Sequence, residues 1–259
     1  MSKSEEKDVL FEKNGSVGWL SINRDKKRNT INMRVATQVP AILHKYRDDR
    51  SIKAIMLTAA GNIAFCAGND LAEFKARLPD PARMREFDDA VLRMHESIRT
   101  FPKIVIAVVN GYCLGGGVTL LGACDLALAS EAAEFGLPEV ARGFWPAMAT
   151  TPVMHALHRK HALSLILTAK NITAREAMMM GLVSKVVPSA ELAESAEQLA
   201  QTIAGYELEA LLWAKRIAYD SLRMDYGQSM QYGVLAAQAF RDINPSFGKG
   251  IQSFLKKST

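Results

Sequence analysis

Three consecutive glycines, Gly115 to Gly117, are the residues whose type and spacing most directly suggest chemistry in this sequence. They lie between an apolar run at Ile104 to Val109, which predicts a buried strand, and a helical pattern at Val118 to Ala123. One glycine suffices for a tight strand-to-helix turn, whereas three leave several backbone N–H groups uncovered at the positive end of a helix. Such donors can stabilise an oxyanion. The alternative, that the glycines only permit close packing, stays open at this point.

A second glycine-containing loop, Phe65 to Asp70, lies between a predicted strand at Ala54 to Thr58 and a helical segment, and could offer another N–H from the opposite side. Neither loop has the spacing of a phosphate-binding loop. Gly111, Gly115, Gly116 and Gly117 do not form G-x-G-x-x-G, and no Gly-Lys-Ser/Thr follows them.

Composition bounds the class of protein. The chain has 259 residues, 49% of them hydrophobic, which is enough for one large core or a core with a helical extension. Its net charge of +5 includes one local cluster, Lys26-Lys27-Arg28, which favours a phosphate-bearing small molecule over a nucleic acid.

The start of the chain is polar, and no apolar stretch approaches the ~20 residues of a membrane span. Three cysteines predict free thiols in a reducing compartment, so we expect a cytoplasmic protein.

Strand and helix patterns alternate along the first part of the chain. Asn14-Gly15 predicts an opening hairpin. The sequence then predicts helices at Met33 to Arg50 and Pro81 to Thr100, a strand at Leu126 to Ala129, and a late apolar run at Leu182 to Val187. Pro40 is expected to kink or restart the first helix. Helical patterns dominate after Met148. We therefore expect an α/β core over residues 1–195 and a helical region over residues 196–259.

Several stretches together carry a family resemblance. "FCAGND", "VNGYCLGGG" and "FGLPE" resemble the crotonase (enoyl-CoA hydratase/isomerase) superfamily, as do "LSINRDKKRNTI" and "ITAREAMMMGLVSKVVP", and the match spans nearly the whole chain. The resemblance implies a crotonase fold of repeated ββα units with a C-terminal helical trimerisation region. It also implies an acyl-CoA substrate, no separate cofactor because CoA is part of the substrate, and a homotrimer or homohexamer.

The resemblance assigns the candidate site residues. The thioester carbonyl would be held by the N–H groups of Asn69 and Gly116, where Asn69 replaces the alanine common in hydratases, and Glu139 would be the acid-base residue. The same resemblance implies substrate contacts at Lys26, Lys27, Ala67, Asp70, Leu71 and Thr119. It implies no metal site.

The sequence departs from the hydratases it resembles at one position. Those enzymes use two glutamates, and the first falls on Thr119, whose hydroxyl cannot act as a base near neutral pH. One carboxylate, Glu139, suffices to carry a proton from C2 to C4 of a 3-enoyl-CoA, so we expect a Δ3,Δ2-enoyl-CoA isomerase. "GNDL" and "VTLLG" look like peroxisomal-type isomerases, but these carry their glutamate at the position of Ala147. Glu139 alone resembles the mitochondrial-type arrangement.

Other interpretations remain. The chain could be a hydratase with an incomplete glutamate pair, or a crotonase homologue that binds acyl-CoA or RNA without catalysis. His155, His158 and His161 drift around a helix and favour no metal site, and His95-Glu96 lacks the second histidine of a zinc motif. Cys66 and Cys113 are expected to be buried fillers. Apolar residues between Leu208 and Leu255 predict self-association.

Overall fold

The computed structural model of the protein describes residues 7–244 and residue 247. Its contacts divide the chain into two compact units, the first ending at Gly205 and the second beginning at Tyr206. Within the described residues the strands are β1 (Val9–Asn14), β2 (Val17–Ile22), β3 (Ala54–Ala59), β4 (Ala64–Cys66), β5 (Ile104–Val109), β6 (Tyr112–Leu114), β7 (Leu126–Ser130), β8 (Glu134–Gly136), β9 (Ile172–Thr173) and β10 (Lys185–Val187).

The helices alternate with these strands in the first unit. They are α1 (Met33–Tyr46), α2 (Leu71–Arg77), α3 (Pro81–Arg99), α4 (Gly116–Gly122), α5 (Ala147–Ala156), α6 (Arg159–Thr168), α7 (Ala174–Met180) and α8 (Leu192–Ala204) in the first unit, and α9 (Leu208–Ser221) and α10 (Tyr226–Ile243) in the second. Short 3-10 turns lie at Asp25–Lys27, Val140–Arg142 and Ser189–Glu191.

Two sheets form the framework of the first unit. The larger has the order β1-β2-β3-β5-β7-β10, in which β1 and β2 are antiparallel and every other neighbour is parallel. The smaller has the order β4-β6-β8-β9, with β4, β6 and β8 parallel. Strands β3 and β5 are almost wholly apolar and buried, as is typical of parallel strands that are covered on both faces. The expected α/β architecture is confirmed.

The opening hairpin is confirmed, and its turn explains its sequence. Asn14 pairs with Val17, and Gly15 has a φ of +57°, a left-handed conformation that costs glycine little. Helix α1 differs from expectation because Pro40 neither ends nor restarts it, and it finishes at Tyr46 rather than Arg50. The late apolar run forms a strand only over Lys185–Val187, because Leu182 and Val183 pack into the core before it.

Helix α8 belongs to the first unit. Its residues Ala196, Ala200 and Ile203 are buried, and the helix packs against β3 and β7 of the larger sheet. Residues 196–204 therefore lie with the α/β unit, and the contact boundary falls after Gly205.

The second unit pairs α9 with α10. Trp213 and Phe240 meet edge to face, with ring centroids 5.7 Å apart. Ile251 and Phe254, two of the apolar residues between Leu208 and Leu255 that predict self-association, lie outside the described residues. Among the helices that the structure describes, none is both long enough and apolar enough to cross a lipid bilayer.

Helix α3 contains a buried histidine that makes stability depend on pH. His95 is 7% exposed, and neither ring nitrogen has a hydrogen-bond partner among the described residues. Burial lowers the pKa of His95 to about 4, because the imidazolium cannot be solvated there.

We predict that His95→Phe removes a loss of stability at acid pH. Below the ordinary histidine pKa of 6.5, His95 is protonated in the unfolded chain, whereas in the folded chain it stays neutral down to about pH 4. The free energy of unfolding of the wild type should therefore fall across this window by up to about 3 kcal/mol more than that of the variant. Denaturant titration at several pH values measures it. His44→Phe, an exposed site on α1, is the matched control. If the free energy of unfolding changed equally with pH in the wild type and in His95→Phe, the prediction would be wrong.

Candidate active site

Three parallel strands of the smaller sheet deliver the candidate residues to one edge. Asn69 follows the end of β4, Gly116 follows the end of β6, and Glu139 follows the end of β8. Because β4 pairs with β6 and β6 with β8, all in parallel, their carboxyl ends meet at the same edge. The structure thus brings these three predicted catalytic residues into neighbouring loops.

Two of the three glycines, Gly115 and Gly117, lie where an added Cβ would come within 3 Å of neighbouring atoms. Gly115 has a φ of +52°, and a Cβ added there would lie 2.7 Å from the Glu139 Oε1 atom. A Cβ added to Gly117 would lie 2.2 Å from the carbonyl oxygen of Cys66, which belongs to β4. Gly117 therefore admits no side chain, because a backbone atom blocks it, whereas a side chain at Gly115 would displace the flexible Glu139 carboxyl group.

The loop after β4 is held in a conformation in which the Asn69 N–H makes no hydrogen bond to the described residues. The Ile31 N–H donates to the Gly68 carbonyl oxygen at 2.8 Å, and the Asp70 N–H donates to the Ile31 carbonyl oxygen at 2.8 Å. In this bridge the residue between them, Asn69, directs its own N–H to the other side. Among the described residues, the Asn69 N–H has no hydrogen-bond acceptor.

The Gly116 N–H is the second unused donor. Gly116 is the first residue of α4, so its N–H has no acceptor within the helix, and none is found elsewhere in the part of the chain that the structure describes. The two loops touch: a Cβ added to Gly68 would lie 3.5 Å from the Gly116 nitrogen. Two backbone donors on contacting loops are an arrangement that can stabilise an oxyanion.

Glu139 places a carboxyl group beside these donors. Its Oε1 atom faces Gly115, and its Oε2 atom is buried without a hydrogen-bond partner among the described residues. Burial raises the pKa of Glu139 above that of an ordinary glutamate, against smaller lowering influences from its own backbone N–H and from Arg142. A carboxyl group with a raised pKa both accepts and returns a proton more readily near neutral pH.

Thr119 stands one turn into α4, where a second carboxylate would be expected by resemblance. Its side chain is buried, and its N–H donates to the Gly115 carbonyl oxygen at 3.3 Å. Ala147, the other glutamate position considered, is the exposed first residue of α5. At both positions a glutamate is replaced by a residue that carries no ionisable group.

The three other predicted contacts near the loop have different surroundings. The Asp70 carboxylate caps α2 through the Ala72 and Glu73 N–H groups and also accepts a hydrogen bond from Arg24 at 2.9 Å. Burial alone would raise the pKa of Asp70, but the Arg24 guanidinium and the capping N–H groups lower it below the usual value. The Ala67 N–H donates a hydrogen bond to the Arg28 carbonyl oxygen. The Leu71 residue is 55% exposed to solvent.

Lys26 and Lys27 are exposed on the 3-10 turn before Asn29. Arg28 and Asn29 both have positive φ values, and the buried Asn29 side chain donates to the Ala60 and Ala64 carbonyl oxygens. Sequence reasoning missed Asn29 and Arg24 as the residues that fix this segment. No local pattern distinguished them, because their partners, such as Asp70 and Ala64, lie far along the chain.

The cysteines of the two loops are buried, as expected. Burial raises the pKa of Cys66 to about 12 and that of Cys113 well above its usual value, so both remain thiols at neutral pH. Within the described ranges, no three His, Cys, Asp or Glu side chains gather where they could hold a metal ion.

Comparisons with known proteins agree with this geometry. The family described as enoyl-CoA hydratase/isomerase matches residues 12–259. The chain is 33% identical over 255 residues to a probable mitochondrial enoyl-CoA hydratase of Dictyostelium discoideum, covering 96% of this chain and 88% of the relative. It is 33% identical over 226 residues to a short-chain-enoyl-CoA hydratase of Clostridium acetobutylicum, covering 87% and 86% of the two chains. The crystal structure of an enoyl-CoA hydratase from Bacillus anthracis superposes with a TM-score of 0.91 at 29% identity, covering 96% of each chain.

We predict that Gly115→Ala moves the Glu139 carboxylate out of its buried position. The added methyl group would lie 2.7 Å from Oε1, and the side chain can yield by turning toward solvent. The pKa of Glu139 should then fall toward that of an ordinary glutamate, as measured by carbon-13 NMR titration of the glutamate carboxyl groups.

Gly15→Ala is the matched control for backbone strain. Gly15 has a similar φ of +57° with nothing within 4 Å of an added Cβ. Gly15→Ala should lose about 1 kcal/mol of stability, and Gly115→Ala should lose more, because its φ of 52° and ψ of −116° lie outside the left-handed region that other residues can adopt. Only Gly115→Ala should change the Glu139 titration. An unchanged pKa in Gly115→Ala would show that the glycine does not set the position of the carboxylate.

Proposed function

Since the chain belongs to the enoyl-CoA hydratase/isomerase family, we propose that it converts 3-enoyl-CoA thioesters into 2-enoyl-CoA thioesters. The observation that carries this proposal is the single carboxyl group of Glu139, with its raised pKa, beside the unused N–H groups of Asn69 and Gly116. Isomerisation requires one proton to leave and one to return, and one carboxyl group can do both.

The proposed reaction balances with these groups alone. The Glu139 carboxylate removes a proton from C2, and the electrons of that C–H bond delocalise into the thioester to give a dienolate. The Asn69 and Gly116 N–H groups donate to the dienolate oxygen, each contributing ~3 kcal/mol. The Glu139 carboxylic acid then returns the proton to C4, and the double bond moves from C3–C4 to C2–C3. The steps transfer no electrons to an acceptor and call for no resident cofactor.

Substrate binding is proposed to use the basic turn. Lys26 and Lys27 are exposed and follow Arg24 on the segment that bridges to the Asn69 loop, so they suit the phosphates of CoA. This supports CoA as the carrier of the acyl group, with Ala67, Asp70, Leu71 and Thr119 as the other proposed contacts.

A hydratase is the second candidate, favoured by the names of the relatives. The Dictyostelium and Clostridium relatives are both described as enoyl-CoA hydratases. Water addition across C2–C3 needs a group at each end of the double bond, and Thr119 lacks the carboxylate that would complete the pair. We therefore rank hydration below isomerisation.

Self-association as a trimer or hexamer is also proposed. On α10, Tyr226, Met230 and Val234 are exposed at intervals of four residues and so share one face of the helix. Leu222 is exposed as well. An exposed apolar face of this kind is typical of a subunit interface. Cys66, Cys113 and Cys124 form no disulfide among the described residues, which supports the proposal of a reducing, cytoplasmic location.

We predict that Glu139→Gln lowers the isomerisation rate by about 10³-fold, because the amide keeps the volume of the side chain but cannot exchange the proton. Thioester affinity should stay within a few-fold of the wild type, since both N–H donors remain. A coupled spectrophotometric assay with a short 3-enoyl-CoA measures the rate, and calorimetry with acetoacetyl-CoA measures binding. An active Glu139→Gln variant would show that Glu139 is structural.

We predict that Thr119→Glu raises crotonyl-CoA hydration by about tenfold over the wild-type background, because it supplies the second carboxylate. Thr119→Gln has the same length without the charge and is the matched control. A wild-type hydration rate of ~10 per second or more would instead favour the hydratase. If wild type and all variants leave both substrates unchanged, the chain is a binding protein and the enzymatic proposal fails.

A further inference from the structure

We propose that Arg24 is a positioning residue that holds the Asn69 N–H in its productive direction. Arg24 lies just before the 3-10 turn Asp25–Lys27, and its side chain is only 11% exposed. It touches no reacting atom in the mechanism above. Its effect on catalysis rests on the proposed function, whereas its effect on the loop does not.

The guanidinium of Arg24 joins the two segments that meet at the oxyanion loop. Its Nη1 donates to the carbonyl oxygen of Thr30 at 2.6 Å and to the Thr30 hydroxyl at 3.1 Å. Its Nη2 donates to the Asp70 Oδ2 at 2.9 Å. Thr30 precedes Ile31 and Asp70 follows Asn69, so the guanidinium fastens both sides of the bridge between Ile31 and Asn69.

The Asp70 side of this contact is itself constrained. Oδ1 of Asp70 accepts the Ala72 N–H at 3.1 Å and the Glu73 N–H at 3.4 Å at the start of α2. With Oδ2 bound by Arg24, the carboxylate cannot turn, and the peptide unit next to Asn69 is held from one end. Loss of the guanidinium would leave a buried carboxylate without its cation, which favours rearrangement of the loop toward solvent.

Arginine suits this position better than lysine. The planar guanidinium offers several N–H groups in a fixed fork and here reaches Thr30 and Asp70 together, with Nε 3.5 Å from the Asp8 Oδ2. A lysine has the charge but a single nitrogen. We therefore expect Arg24→Lys to retain part of the positioning and Arg24→Gln to retain less.

The same segment carries the proposed phosphate contacts. Lys26 and Lys27 follow Arg24, and the segment is also tied to the loop after β4 by the Ala67 N–H, which donates to the Arg28 carbonyl oxygen at 3.1 Å. The segment that positions the Asn69 N–H is thus the same segment that is proposed to bind the phosphates of CoA.

Hydrogen–deuterium exchange of the unliganded protein tests the positioning directly. The reporters are the amides of Ile31 and Asp70, which are bonded across the bridge. In Arg24→Gln their exchange should rise by about tenfold or more, because the bridge opens more often. Arg34→Gln is the matched control: Arg34 also pairs with Asp8, at 3.5 Å, but its side chain is 46% exposed on α1. It should change these two rates by less than about twofold.

Turnover and enolate formation test the consequence. The kcat of Arg24→Gln should fall by about 10- to 100-fold, with Arg24→Lys between it and the wild type, because a donor displaced by a fraction of an ångström serves the transition state poorly. The ultraviolet absorbance of the acetoacetyl-CoA enolate at the site should fall in parallel, while affinity for free CoA stays within about threefold.

Distinct outcomes overturn distinct claims. Unchanged exchange of Ile31 and Asp70 in a folded Arg24→Gln refutes the positioning role, as does increased exchange with wild-type kcat. An equal fall in CoA affinity and kcat would make Arg24 a substrate-binding residue instead. If Arg24→Gln does not fold, Asp70→Asn removes the same contact from the other side and should raise the exchange of Ile31. A wild type without turnover contradicts the proposed function alone, and the exchange rates still decide the role of Arg24.

Discussion

The contact between two backbone segments, Gly115–Gly117 and the loop from Cys66 to Asn69, is the constraint on which the site depends. No side chain fits between Gly117 and the Cys66 carbonyl oxygen, and a side chain at Gly115 would displace the Glu139 carboxyl group. Because the backbones touch, two N–H groups that the fold does not use lie on contacting loops, and a carboxyl group of raised pKa lies beside them. The proposed chemistry depends on what the backbone leaves unpaired as much as on the side chains.

The smaller sheet makes this contact possible. Strands β4, β6 and β8 are each three residues long, too short to stabilise a fold, yet their parallel pairing brings three loops to one edge. Their side chains Phe65, Cys113 and Phe135 are buried in the same apolar core as the larger sheet and its helices. The shared core therefore fixes the short strands as supports for Asn69, Gly116 and Glu139.

The sequence predicted the elements whose signals are local. Asn14-Gly15 indicated the hairpin, and continuous apolar runs indicated β3 and β5, because buried parallel strands need apolar side chains on both faces. It did not predict β4, since three residues in a turn-rich stretch have no periodicity. Pro40 was expected to kink or restart α1, and the helix continues through it from Met33 to Tyr46. The roles of Arg24 and Asn29 depend on partners far along the chain, such as Asp70 and Ala64, which no local pattern records. The residues of the site were assigned through the family resemblance, and their juxtaposition became visible only in the folded chain.

We propose that one carboxyl group, Glu139, carries the same proton from C2 to C4 while the two N–H groups hold the dienolate oxygen. The fate of deuterium in a short 3-enoyl-CoA labelled with two deuterium atoms at C2 tests this proton transfer. We predict a 2-enoyl-CoA product that keeps one deuterium at C2 and carries part of the other at C4, with the rest lost to solvent from the carboxyl group. A product whose C4 hydrogen comes entirely from solvent, or a 3-hydroxyacyl-CoA formed in place of the 2-enoyl-CoA, would contradict it.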